Sequence, residues 1–74
     1  NPMTQIQYEL PLAGEISLML YNTLGIEVMQ LDKGIKSAGI HNISFDGSHL
    51  PTGIYFYQLR IGSFVKTRKM SLIK

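Results

Sequence analysis

Gly53-Ile54-Tyr55-Phe56-Tyr57-Gln58-Leu59-Arg60-Ile61, followed by Gly62-Ser63 and then Phe64 to Ile73, is the stretch that decides the fold class of this 74-residue chain. Its first run is aromatic or β-branched at most positions, and such side chains fit a pleated, half-buried surface. Tyr55, Tyr57, Leu59 and Ile61 share one face by period-2 alternation, while Ile54 and Phe56 carry hydrophobicity onto the other. Gly62-Ser63 suits a two-residue type II′ hairpin, so Phe64 to Ile73 is expected to return antiparallel beside the first run.

The same punctuation continues upstream. Leu50-Pro51-Thr52-Gly53 and Asp46-Gly47 turn the chain, and between them and Gly39 the segment Ile40 to Phe45 reads as a strand with Ile43, Phe45 and His41 on one parity. Residues 33–39 read as a solvated connection with room for a short extra strand near Ile35. Ile26 to Asp32 and Glu15 to Tyr21 form a strand pair around the loop Asn22-Thr23-Leu24-Gly25. Ile16, Leu18 and Leu20 line one face of the second of these, and Met19 and Tyr21 make its other face apolar as well, which predicts a central strand. Thr4 to Leu10 alternates Ile6, Tyr8 and Leu10 against Gln5, Gln7 and Glu9 and stops at Pro11. An amphipathic helix over 16–31 is the rival reading, because Leu, Met and Glu are good helix formers. Gly25 at its centre and alternation on both sides argue against it. Six or seven short strands with turns between them predict an all-β, immunoglobulin-like antiparallel β-sandwich, with a small closed barrel as the alternative.

Length and charge bound what such a domain can do. A chain this short buries only about 60% of its unfolded surface, so its apolar residues are needed for the core rather than for a substrate cleft. There is no Cys for a disulfide or a thiolate metal site, and no apolar run approaches the roughly 20 residues of a membrane helix. The chain opens Asn1-Pro2-Met3 with neither a basic n-region nor an apolar h-region, and is expected to be a segment of a longer precursor whose signal peptide lies elsewhere. Residues up to 32 carry Glu9, Glu15, Glu27 and Asp32 with no base; beyond them Lys33, Lys36, Arg60, Lys66, Arg68, Lys69 and Lys74 face only Asp46, so the two segments stand at −4 and +6. Neutralisation across neighbouring strands accounts for this split, and the acidic half cancels the field a nucleic-acid stripe would need.

The inventory for chemistry is thin. His41 and His49 are the only histidines, and no metal-ligand spacing surrounds them. His41 with Asp46 and Ser44 or Ser48 makes a triad on paper only, since triads are defined by geometry. Glu9, Glu15, Glu27 and Asp32 fall on outward positions or turn edges, where they serve solubility. No phosphate-binding glycine loop or calcium loop is present. Tyr8, Tyr55 and Tyr57 share parity with core aliphatics and are expected in the core, their hydroxyls reaching backbone partners, rather than on a stacking platform. The expectation is therefore no catalytic residue, no cofactor and no metal.

The order of motifs adds a second kind of information. Asn1-Pro2-x-Thr4-x-Ile6-x-Tyr8-x-Leu10-Pro11, Leu20-Tyr21-Asn22-x-Leu24-Gly25-x-Glu27-Val28, Ala38-Gly39-x-His41 with Phe45-Asp46, Leu50-x-x-Gly53-Ile54-Tyr55-Phe56-Tyr57 and Thr67-x-Lys69-Met70-x-Leu72-x-Lys74 succeed one another. In this order they resemble the C-terminal sorting domain of the type IX (Por) secretion system, type A, of Bacteroidetes, over essentially the whole chain. The resemblance implies a single sorting domain over residues 1–74, carried behind an N-terminal cargo domain on the same precursor. It implies export to the periplasm, passage across the outer membrane by the type IX translocon, and removal at the cell surface by a sortase-like protease, so that the cargo is secreted or surface-held. It also places translocon recognition on the last hairpin: Gly53, Tyr55, Arg68, Lys69, Met70 and Lys74, with the three bases as contacts and Tyr55 and Met70 holding the strands. An antiparallel hairpin with a basic edge offers backbone hydrogen bonds for strand addition and a positive patch for steering. The competing function is a non-catalytic immunoglobulin-like accessory or carbohydrate-binding module of a secreted enzyme; the sorting reading expects Lys74 to end the precursor, the module reading expects exposed aromatics.

Overall fold

A computed structural model of the protein describes residues 3–73. It contains six strands: β1 (Met3–Leu10), β2 (Gly14–Tyr21), β3 (Glu27–Lys36), β4 (Gly39–Asp46), β5 (Gly53–Ile61) and β6 (Phe64–Leu72). They form two antiparallel sheets, one of two strands in the order β1-β4 and one of four in the order β3-β2-β5-β6. No ladder joins the two sheets among the described residues, so the architecture is a β-sandwich and not the closed barrel. No helix crosses 16–31. β2 sits inside its sheet between β3 and β5, as its two apolar faces predict.

The alternation read from the sequence becomes the core. Ile6, Tyr8 and Leu10 of β1 and Phe45 of β4 face Ile16, Leu18 and Leu20 of β2, Tyr55, Leu59 and Ile61 of β5 and Leu72 of β6. Leu18 and Leu20 are fully excluded from solvent. Removing a Leu side chain from such a site costs about 2–5 kcal/mol, because the void left behind adds to the lost transfer energy. That is a large share of the stability of a domain this small.

The hairpins follow local chemistry. At the β5–β6 turn Gly62 has φ +58° and, among the described residues, none other than glycine has positive φ, so Ser63 is on the negative side and the turn is type II′ as expected. At the β2–β3 loop Asn22 Oδ1 accepts from the amides of Leu24 (2.9 Å) and Ile26 (3.1 Å). The Gly25 N–H donates to the Asn22 carbonyl at 3.0 Å, with Gly25 at φ +80° closing the loop.

One segment departs from expectation. β3 does not end at Asp32: Lys33, Gly34, Ile35 and Lys36 continue it opposite Ser17, Ile16, Glu15 and Gly14. The residues near Ile35 are therefore the end of β3 and not a seventh strand, and the link to β4 shrinks to Ser37-Ala38. β2 is responsible, since its first four residues would otherwise leave one edge of an interior strand unpaired. Register shifts at Leu18/Met19 and Leu20/Tyr21 accommodate the longer partner.

Candidate functional site

The candidate site is the β5–β6 hairpin, and strand geometry settles which of its side chains can act together. Directly opposed residues of an antiparallel pair share a face and successive residues alternate. On the inner face the pairs are Gly53 with Leu72, Tyr55 with Met70, Tyr57 with Arg68 and Leu59 with Lys66. On the outer face they are Ile54 with Ser71, Phe56 with Lys69, Gln58 with Thr67 and Arg60 with Val65.

Three of the expected residues come together. Tyr55 is buried, its ring in the core and its hydroxyl donating to the Pro51 carbonyl at 2.6 Å. Met70, half-buried, packs against the same core from the opposed position, and Gly53 opposes the buried Leu72. Tyr55 thereby ties β5 to the chain that enters it and to β6. The bases do not come together: Arg68 lies on the inner face beside Tyr57, whereas Lys69 lies on the outer face beside Phe56. Both are exposed. Adjacent positions in a strand cannot form one patch, so the basic set divides between two surfaces. Lys74, like the Asn1-Pro2 pair, lies outside the described residues.

Each surface has a hollow. Between the sheets, Tyr8, Gln7 and Glu9 of β1, Ile40 of β4, Tyr57 and Leu59 of β5, and Lys66 and Arg68 of β6 border an open groove of about 310 Å³. On the outer face of the larger sheet a shallower hollow of about 450 Å³ lies beside the β2–β3 loop, bordered by Tyr21, Phe56, Gln58, Arg60 and Thr67. There Gln58 is held from both sides: its Nε2 donates to Thr67 Oγ1 (3.1 Å) and its Oε1 accepts from Arg60 Nε (3.0 Å).

A polar clasp stands behind the groove. The Tyr8 hydroxyl donates to Asp32 Oδ2 at 2.8 Å, joining β1 in one sheet to β3 in the other. Asp32 Oδ1 accepts from the Lys33 amide (2.9 Å) and lies 3.4 Å from Lys36 Nζ. Burial and the acceptor carboxylate push the Tyr8 hydroxyl well above the usual phenol range. Burial opposes ionisation of Asp32, but the Tyr8 hydroxyl, the Lys33 amide and Lys36 outweigh it and hold the carboxyl below its ordinary value. Asp32 is therefore an inter-sheet anchor and not the solubility residue that its sequence position suggests. Tyr8 reaches a carboxylate where a backbone partner was expected; Tyr55 does reach backbone. Tyr57, also expected in the core, is half-buried at the groove. The signal for Asp32 was Tyr8 itself, since an inward-facing Tyr needs a partner for its hydroxyl.

The paper triad does not assemble. His41 and Asp46 sit at positions five apart on β4, roughly 16 Å along an extended chain. His41 stacks on Tyr8, with ring centroids 5.3 Å apart, and its Nε2 lies 2.7 Å from the Ser37 carbonyl. Asp46 Oδ1 accepts from the Ser48 amide at 2.9 Å. Among the described residues no group of three His, Asp or Glu side chains is placed to hold a metal ion, and no helix is long and apolar enough to cross a membrane.

The family of secretion system C-terminal sorting domains matches residues 1–74, the full length of the chain. The chain belongs to this family, that of the type IX sorting signals, whose members are generally non-catalytic and work with the type IX machinery to bring proteins to the cell surface or beyond. Comparison with curated proteins and with solved structures gives no significant match.

Proposed function

We propose that residues 1–74 are one sorting domain at the C-terminal end of a secreted precursor, and that its β5–β6 hairpin is the part the type IX translocon reads. The cargo precedes it on the same chain and enters the periplasm by a separate signal. The translocon then carries the precursor across the outer membrane, and a sortase-like protease removes the domain at the surface. The domain itself carries out no reaction. The observation that supports this most is the family match over the full chain, together with a hairpin built in two parts. Tyr55, Met70 and Gly53 set its shape, and Arg68 on the inner face, Lys69 on the outer face and Lys74 supply positive charge that steers an acidic receptor toward the hairpin.

The test is a fusion of residues 1–74 behind an inert reporter that already carries a periplasmic signal. In a host with the type IX machinery the reporter is expected at the cell surface or in the medium, shortened by the mass of the domain. In the same host lacking the translocon it stays full-length in the periplasm. Retention in both hosts overturns the reading. The accessory-module alternative is favoured only by the Tyr21–Phe56 pair on the outer face, and it requires glycan binding by the isolated domain.

A further inference from the structure

The two sheets are unequal, and the inequality leaves a space shaped like a strand. Among the described residues β1 pairs with β4 on one side and with no strand on the other, while β5 and β6 continue the larger sheet beneath that position. The groove between β1 and β6 is this position, floored by Tyr57 and Leu59.

The two strands bordering the groove differ in how they meet a newcomer. Sheet edges are normally protected by charge, by Pro, by bulges or by being short. β6 is protected, with Lys66, Arg68 and Lys69 in its middle. β1 is not: it is eight residues long, pairs without a register shift, contains no Pro, and has Glu9 as its single charge. Among the described residues no strand pairs with β1 beside the groove, at Gln7 to Glu9, whereas β6 contributes cations that face the space from the inner side. No carboxylate among the described residues lies within ion-pair distance of Lys66 or Arg68. Inner-face cations in a two-sheet protein lack the apolar cover that Met70 and Leu72 receive, and an added strand with carboxylates at alternate positions would supply both the cover and the countercharge.

We propose that the free edge of β1 accepts an extended acidic segment of a partner protein as a third strand of the smaller sheet. Its backbone pairs with β1, and its inward carboxylates meet Lys66 and Arg68 across the groove. This is strand addition, in which main-chain hydrogen bonds supply affinity and alternate side chains supply selectivity. The inference rests on the geometry of the two sheets and not on the export reading, so peptide binding in solution and export in cells can fail separately.

The test titrates isotope-labelled domain, residues 1–74, with three synthetic octapeptides. One alternates Glu with Val, one carries Lys in place of Glu, and one is the Glu peptide with alternate backbone amides N-methylated, prepared in both registers. The Glu peptide is expected to shift the amide resonances of β1 and to protect them from exchange. The Lys peptide and at least one methylated register should fail to do so. In the double variant Lys66→Glu and Arg68→Glu, affinity for the Glu peptide should fall at least about tenfold, and the Lys peptide should gain. Both positions are exposed, and an unchanged melting temperature verifies the fold. Equal binding of both methylated registers, or equal binding of an anionic polysaccharide, overturns the proposal in favour of a simple anion patch. A self-associated domain whose β1 edge is already occupied assigns the edge to a second copy and overturns it as well. So does the absence of β1 shifts at millimolar peptide.

Discussion

The two halves of β6 face the same way and live in different surroundings. Met70 and Leu72 lie under the smaller sheet and the 47–52 connection, where Gly47 stands so close to Leu72 that an added Cβ would come within 3.2 Å of its methyls. Lys66 and Arg68, on the same inner face four and two residues earlier than Met70, lie where the smaller sheet has run out of described strands. Alternation alone determines which way a side chain points. What it meets there depends on how many strands the facing sheet contains. The covered half is packed into the core, and the uncovered half is exposed.

Substitutions can break that division. Leu72→Ala in the covered half should lower stability by about 2–5 kcal/mol, read as a drop in the urea midpoint. An effect below about 1 kcal/mol would mean that this half is not packed as described. Tyr8→Phe severs the clasp between the sheets and leaves the Asp32 carboxylate without its inter-sheet donor, at a cost of about 1.5–3 kcal/mol. This loss carries a pH signature. Asp32 is held below its ordinary value in the folded protein, so the clasp contributes stability above the unfolded pKa of about 4 and loses it as the pH falls through the lower folded value. Wild type and Tyr8→Phe should therefore differ most near neutral pH and converge in acid; a constant gap would show that the carboxylate is not the partner that matters. Smallest of all, Lys66→Ala and Arg68→Ala in the uncovered half should leave stability within about 0.5 kcal/mol of wild type.

The strands themselves were legible because β1 carries a clean period of two, β2 and β5 are apolar or β-branched runs of strand length, and both hairpin turns declare themselves through Asn22, Gly25 and Gly62. The far end of β3 was not. Lys33-Gly34-Ile35-Lys36 is polar and glycine-interrupted, and it becomes strand because Gly14 to Ser17 need a partner, which is a tertiary requirement without a local signature. Asp32 was misread for a related reason: its role depends on Tyr8, 24 positions away in the other sheet. The separation of Arg68 from Lys69 follows from alternation and was available all along, but adjacency in sequence suggested a patch. The groove could not be read at all. It exists because, among the described residues, β1 pairs with β4 and nothing else, a fact about strands about thirty to forty positions apart that no local pattern of residues records.

The central claim is that Arg68 and Lys69 of the last hairpin, together with Lys74 beyond it in sequence, are read during export while the buried residues of the hairpin only hold it in shape. The most direct measurement is the secreted fraction of a reporter ending in residues 1–74 with Arg68, Lys69 and Lys74 all replaced by Glu, in a host carrying the type IX machinery. It is paired with the melting temperature of the purified domain. Retention of the reporter with an unchanged melting temperature is the predicted result; full secretion of that folded variant would contradict the account.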